Sequence, residues 1–114
     1  MTGVENNQEM PMIPSVGTAL SGLQAATQRV GVAAQNIANA STPGYAVLST
    51  RQVSDANGGV IVDVQSGAAV PDQNSVDVAN ELVGMMTASY DFRANLKTIK
   101  ITDNMQKSLL DILS

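Results

Sequence analysis

The stretch Asp77–Leu113, DVANELVGMMTASYDFRANLKTIKITDNMQKSLLDIL, reads as one unbroken helix, long and apolar for so small a protein. Val78, Leu82, Met85, Phe92, Leu96, Ile99, Leu110 and Leu113 recur at three- and four-residue steps along one side. Val83, Met86, Tyr90, Ile101, Met105, Leu109 and Ile112 add a second stripe, so the apolar surface exceeds the narrow seam of a two-stranded coiled coil. At 1.5 Å per residue the segment spans roughly 55 Å, whereas a compact domain of about 100 residues has a radius of gyration near 13 Å. The helix is therefore expected to project beyond its own fold and to offer its surplus apolar surface to other chains.

Working back from this helix, residues 66–75 hold Gly67, Pro71, Asp72, Asn74 and Ser75 and read as a loop, with Ser75 or Asp77 as the helix cap. Before the loop, Tyr45–Val53 and the alternating Val60, Val62 and Val64 flank Asp55-Ala56-Asn57-Gly58-Gly59. That pattern predicts a small β-hairpin between Tyr45 and Gln65, which is marginal alone and must lie on something.

A first helix is expected from Ser15, a suitable N-cap, to about Ala40, where Pro43-Gly44 redirects the chain. Val16, Leu23, Val30 and Ile37, with Leu20, Thr27 and Ala34 between them, make a regular heptad seam. Arg29 is the only charged residue from Met10 to Thr50, and Gly17, Gly22 and Gly31 each weaken an isolated helix by roughly 1 kcal/mol relative to Ala. Such a helix is ordered by packing among others. Residues 1–14 show no period and read as a mobile leader.

Composition narrows the function. The chain has one Phe, two Tyr and no Trp among 114 residues, so Ala, Val, Leu, Ile and Met must do the packing. Net charge −4 and a pI near 4.4 exclude nonspecific nucleic-acid binding as an expectation. Arg93, Lys97, Lys100 and Lys107 are interleaved with Asp91, Asp103 and Asp111, the pattern of a solvated face with local ion pairs. The absence of His and Cys removes most nucleophile–base pairs and transition-metal sites, so no cofactor or metal is expected. Asp55-x-Asn57-x-Gly59 begins like a calcium loop, but its twelfth position is Ser66 rather than a bidentate Glu, and a turn is the better reading. No stretch approaches the roughly 20 apolar residues of a membrane span, and residues 1–13 lack a signal-peptide pattern, so neither membrane insertion nor a cleaved signal is expected.

Two stretches resemble a known family. Gln35-Asn36-Ile37-Ala38-Asn39-Ala40-Ser41-Thr42-Pro43-Gly44-Tyr45 is similar to the N-terminal signature of bacterial flagellar rod, hook and hook-associated proteins. Val76-Asp77, Glu81, Val83, Met86, Ala88, Ala94-Asn95, Lys97, Ile99, Asp103, Met105 and Leu109-Leu110 resemble their C-terminal helix. Gln35, Phe92, Tyr90-Asp91 and Arg93 depart from the usual residues, and the leader is longer than is typical. The resemblance implies a mainly α fold: two long terminal helices in an elongated helical pair or coiled coil, with a small β-hairpin between them. It further implies an axial subunit of the flagellar basal body, exported without a cleaved signal through the type III apparatus and built into the periplasmic rod beside itself and other rod or hook proteins. Only a hairpin fits between Tyr45 and Ser75, as in the short proximal-rod type.

The residues expected to carry assembly are Leu23, Val30, Asn36, Ile37, Asn39, Gly44 and Tyr45 from the first half, and Leu82, Met86, Phe92, Asn95, Leu96, Ile99, Met105 and Leu110 from the long helix. For Asn36 and Asn39, capping of the helix end stands beside an inter-subunit contact. The alternative class is a helical-hairpin adaptor or export chaperone that binds one partner; no residue constellation supports an enzyme.

Overall fold

The structure, a computed structural model, describes residues 12–113, and their side chains from Val16 onward. Helix α1 runs Met12–Ala38, strands β1 and β2 run Leu48–Ser54 and Val60–Ser66, and helix α2 runs Val78–Leu113. This is the expected mainly helical pair flanking a hairpin. Asp77 is the cap of α2: its Oδ1 accepts from the Asn80 amide at 3.2 Å and its carbonyl from Glu81 at 2.9 Å. Helix α1 starts earlier than expected, at Met12 rather than after Ser15. Pro14 does not prevent this, because the first turn of a helix has no intrahelical use for its N–H groups. The remainder of the expected leader, residues 1–11, lies outside the described residues.

The described residues form a plank measuring 66 × 30 × 13 Å, with a radius of gyration of 19.6 Å. A thickness of 13 Å is about one helix diameter, so the elements lie side by side in a single layer. Helix α1 occupies the middle. The helix α2 packs along one flank of it, and both strands rest against α1 without packing on α2. The strands pair antiparallel from Leu48↔Ser66 to Ser54↔Val60.

Which residues face inward differs from the expected seam. The buried residues of α1 are Ala19, Ala25, Ala26, Ala33 and Asn36, while Leu20, Thr27 and Ala34 of the heptad are exposed and Leu23, Val30 and Ile37 only half-buried. Ala19, Gly22, Ala26, Arg29, Ala33 and Asn36 follow one another at steps of three and four; Gly22 and Arg29 in this line face α2, and Asn36 at its end bonds β1. A Cβ on Gly22 would lie 2.6 Å from the Asn95 side-chain amide, which shows how closely the helices approach. The matching line on α2 is Met85, Ala88, Asn95, Ile99 and Thr102, of which Ala88 and Thr102 are buried. Small residues bring two helix axes close together, and a Leu or Val line at the same place would hold them apart.

The joint is pinned by one ion pair. Arg29 Nη1 donates to Asp91 Oδ2 at 2.6 Å and to Gln52 Oε1 of β1 at 3.3 Å, tying the three elements together. Replacing Arg29 by Met keeps the stem but removes both bonds, and is expected to cost about 1–2 kcal/mol, read as a lower urea midpoint. Of the acids interleaved with the cations of α2, Asp91 thus serves α1, whereas Asp103 pairs locally with Lys107 at 3.2 Å.

The hairpin turn fulfils the reading of Asp55–Gly59 as a turn. The Gly58 amide donates to the Asp55 carbonyl and the Asp55 amide to the Gly59 carbonyl, both at 3.0 Å, and the Asp55 carboxylate accepts from Asn57 N–H at 3.3 Å. Gly58 and Gly59 have φ of 92° and 87°, open only to glycine without strain. Gly59 also presses on α1: a Cβ there would collide with Ser21 Oγ, the atom that accepts the Val60 amide at 3.1 Å. A Cβ on Gly58 meets nothing. Gly59→Ala is therefore expected to cost about 1–3 kcal/mol, more than Gly58→Ala, and to abolish hydrogen-exchange protection at the Val60 amide.

Candidate functional site

The Asn-rich end of α1 is a hydrogen-bonded knot. Asn36 is the largest fully buried side chain, with 0% of its surface exposed. Its Nδ2 donates to the Leu48 carbonyl at 2.7 Å, and its Oδ1 accepts the Leu48 amide at 3.0 Å and the Tyr45 hydroxyl at 2.8 Å. The side-chain amide thus takes the place of a neighbouring strand and locks β1 onto α1. Asn39 Nδ2 donates to the Gln35 carbonyl at 2.9 Å, and its Oδ1 accepts from Thr42 Oγ1 at 3.2 Å, which is the helix-end role, one of the two open to it.

Asn74 completes the knot. Its Nδ2 reaches both the Asn39 and Thr42 carbonyls at 2.7 Å, and its Oδ1 accepts the Val76 amide at 2.9 Å, joining the end of α1 to the entry of α2. Gly44, at φ 73°, donates its amide to the Gln73 carbonyl at 2.9 Å. Sequence reasoning missed Asn74 because a single Asn in a loop carries no periodic signal. The motif residues Asn36, Asn39, Thr42, Gly44 and Tyr45 therefore act together within the chain. Asn36 in particular is not available to a neighbour, because no part of it is exposed.

The long helix supplies the other half of the site. Leu82, Met86, Phe92, Leu96, Met105 and Leu110 are exposed, Asn95 and Ile99 half-buried. The two apolar stripes end up in different places. Met85, Phe92 and Leu96 line, together with Val30 and Thr27 of α1, an open groove of about 500 Å³ between the helices on one broad face of the plank. Leu23 and Leu20 continue this face, by helical geometry at 100° per residue, toward the start of α1. The second stripe, with Val83, Met86 and Tyr90, lies roughly half a turn from Ala88, on the edge turned away from α1. Each stripe is too apolar for a surface that faces only water. Among the described residues no helix is long and apolar enough to cross a membrane, and no three His, Cys, Asp or Glu are grouped to hold a metal ion.

Comparison with known families bears on both ends of this arrangement. Residues 17–45 match the model described as flagella basal body rod protein, and residues 73–112 match that of the flagellar basal body rod FlgEFG protein C-terminal region. Together they span more than half of the chain. The chain belongs to the flagellar rod and hook family. No match was found among individual curated proteins.

The boundaries of the two matches fit the geometry. The first closes at Tyr45, whose hydroxyl ends the knot, and the second opens at Gln73, whose carbonyl receives Gly44. The two matched ends are thus brought together by the knot, and only the hairpin and its loop stand between them. A protein of this family is a structural, non-enzymatic component of the flagellar basal body that assembles with other rod and hook components.

Proposed function

We propose that the protein is a rod subunit of the short proximal-rod type, which polymerises through its paired terminal helices into the periplasmic drive shaft after type III export. The observation that carries this reading is the inversion of the helix pair: the fully buried residues are Ala, Asn and Thr, while Leu20 of α1 and most of the large apolar side chains of α2 are exposed. A protomer built this way is completed by neighbours. The absence of a large β-domain between the matched ends supports the proximal-rod type, since a hairpin of two seven-residue strands fills that interval. Weak internal packing supports export as an unfolded chain.

Concentrated purified protein should form tubes or filaments in electron micrographs. A defined one-to-one complex with a different protein, and no filaments, would instead point to an adaptor or export chaperone. The same reading makes the isolated monomer weakly ordered, because a one-layer plank buries little and its largest buried side chain is an Asn. Circular dichroism of dilute monomer should show helix well below that of the assembled state. A cooperative melt at high temperature from a strict monomer would contradict it.

A further inference from the structure

The two outward surfaces of α2 differ in shape. The groove is concave, lies between the helices, and is lined by Ala26, Val30, Met85, Phe92 and Leu96, with Arg93 at its rim. The edge turned away from α1 is a ridge: Val83, Met86 and Tyr90 project from it with 60%, 63% and 69% of their surfaces exposed. Their spacing of i, i+3 and i+7 is the anchor pattern by which an amphipathic helix enters an apolar groove. The segment that carries them, Leu82–Tyr90, contains no charged residue, so the inserting side brings no ion to desolvate. Further along α2 the apolar edge residues Ile101 and Met105 are interrupted by Lys100, Asp103 and Lys107.

We infer that the ridge Val83–Met86–Tyr90 of one copy seats in the groove of the next, which deepens the axial-subunit reading and rests on it. A chain cannot fill its own groove this way, because ridge and groove wall are carried by one helix and face about a third of a turn apart. In this arrangement the contact is heterologous: each copy offers a ridge to one neighbour and a groove to another, and it propagates, whereas reciprocal insertion between two copies would close on a pair and give dimers alone. Its size agrees. Three anchors bury on the order of 400 Å² on the inserting side, well short of the roughly 800 Å² per partner of a stable isolated complex. Such a contact is weak once and persistent when repeated, as in an array of copies.

Because the chain has no Cys, cross-linking can test this directly. Met86→Cys marks the ridge and Leu96→Cys the groove. Ten residues apart on one helix, the two sites are about 15 Å apart along the axis, beyond the roughly 7 Å between Cα atoms that a disulfide spans, so the double variant cannot bridge within one chain. Oxidation of assembled double variant should give a ladder of covalent dimers, trimers and longer species, while either single variant stays monomeric on a denaturing gel. Dimers from Met86→Cys alone or from Leu96→Cys alone would mean ridge-to-ridge or groove-to-groove pairing and would overturn the inference. So would assemblies of the double variant that sediment normally yet give no ladder, and this outcome would leave the axial-subunit reading standing. If neither the wild-type chain nor the variant ever sediments as assemblies, the reading and the inference fall together. Tyr90→Asp should raise the concentration needed for assembly at least tenfold, with Tyr90→Phe close to wild type.

Discussion

Cells carrying Leu96→Asp are expected to synthesise and export the protein, to shed it into the periplasm or medium, and to be non-motile. Leu96 lies at the wall of the apolar groove with 49% of its surface exposed in the single chain. An added carboxylate is solvated there, and exposed substitutions away from special features change monomer stability by only about ±0.5 kcal/mol. In an assembled rod the same carboxylate would be enclosed by a neighbour, where an unpaired charge costs at least a few kcal/mol. The cost recurs at every subunit of an array. Lys97→Ala, one residue on and exposed, should be close to neutral. Motility assays with fractionation of both strains separate the two effects: a motile Leu96→Asp strain would show that this face is not covered in the rod.

The fold was legible in the sequence where local chemistry decides it. Pro43-Gly44 stops the first helix, Gly58-Gly59 supplies the positive-φ turn of the hairpin, and Asp77 caps α2; all three act on backbone within a few residues of themselves. The inward face of the helices was not legible, because hydropathy records burial in the assembled state as well as in the single chain. Leu20, Leu23 and Val30 form a seam by spacing, yet the line that meets α2 is Ala19, Gly22, Ala26 and Ala33. A periodic search weighted by side-chain size ranks alanines below leucines and so selects the outer face. Small residues at the same spacing, together with the near absence of charge around them, are the signal that marks the inner one.

The candidate site was legible as a motif but not as a mechanism. Asn36, Asn39, Gly44 and Tyr45 stood out by resemblance, and the roles of helix-end cap and inter-subunit contact were both open to them. Asn39 proves to be the helix-end residue, while Asn36 is bonded to a strand twelve residues away. That partner is set by how the chain returns after Pro43-Gly44, which no local pattern encodes. Asn74 gave still less, since its two carbonyl partners lie 35 and 32 residues earlier in the chain.

Asn36 should therefore be the most sensitive single position for the fold itself. Asn36→Ala leaves the Leu48 amide, the Leu48 carbonyl and the Tyr45 hydroxyl without their partner. At about 1–3 kcal/mol for each buried polar group left unpaired, the loss is on the order of 3–5 kcal/mol, a large part of the roughly 5–15 kcal/mol that holds a whole domain. The expected result is a hairpin released from α1, read as lost hydrogen-exchange protection at the Leu48 amide in assembled protein. Asn36→Asp refines the test because its shape is nearly unchanged. The introduced carboxylate still accepts from Leu48 and Tyr45, but it cannot donate to the Leu48 carbonyl, and it buries a charge. Protonation restores the donor and removes the charge, so the folded state favours the neutral acid and raises that group's folded pKa above the unfolded carboxyl value near 4. A group whose folded pKa is raised contributes its stability below the unfolded value and loses it as pH rises through the folded value. The difference in stability between Asn36→Asp and wild type should accordingly be small in acid and widen toward pH 7, measured by parallel urea titrations of helix content in assembled protein. A difference independent of pH would mean that the side chain is solvated and that the Leu48 bridge does not hold the hairpin to the helix.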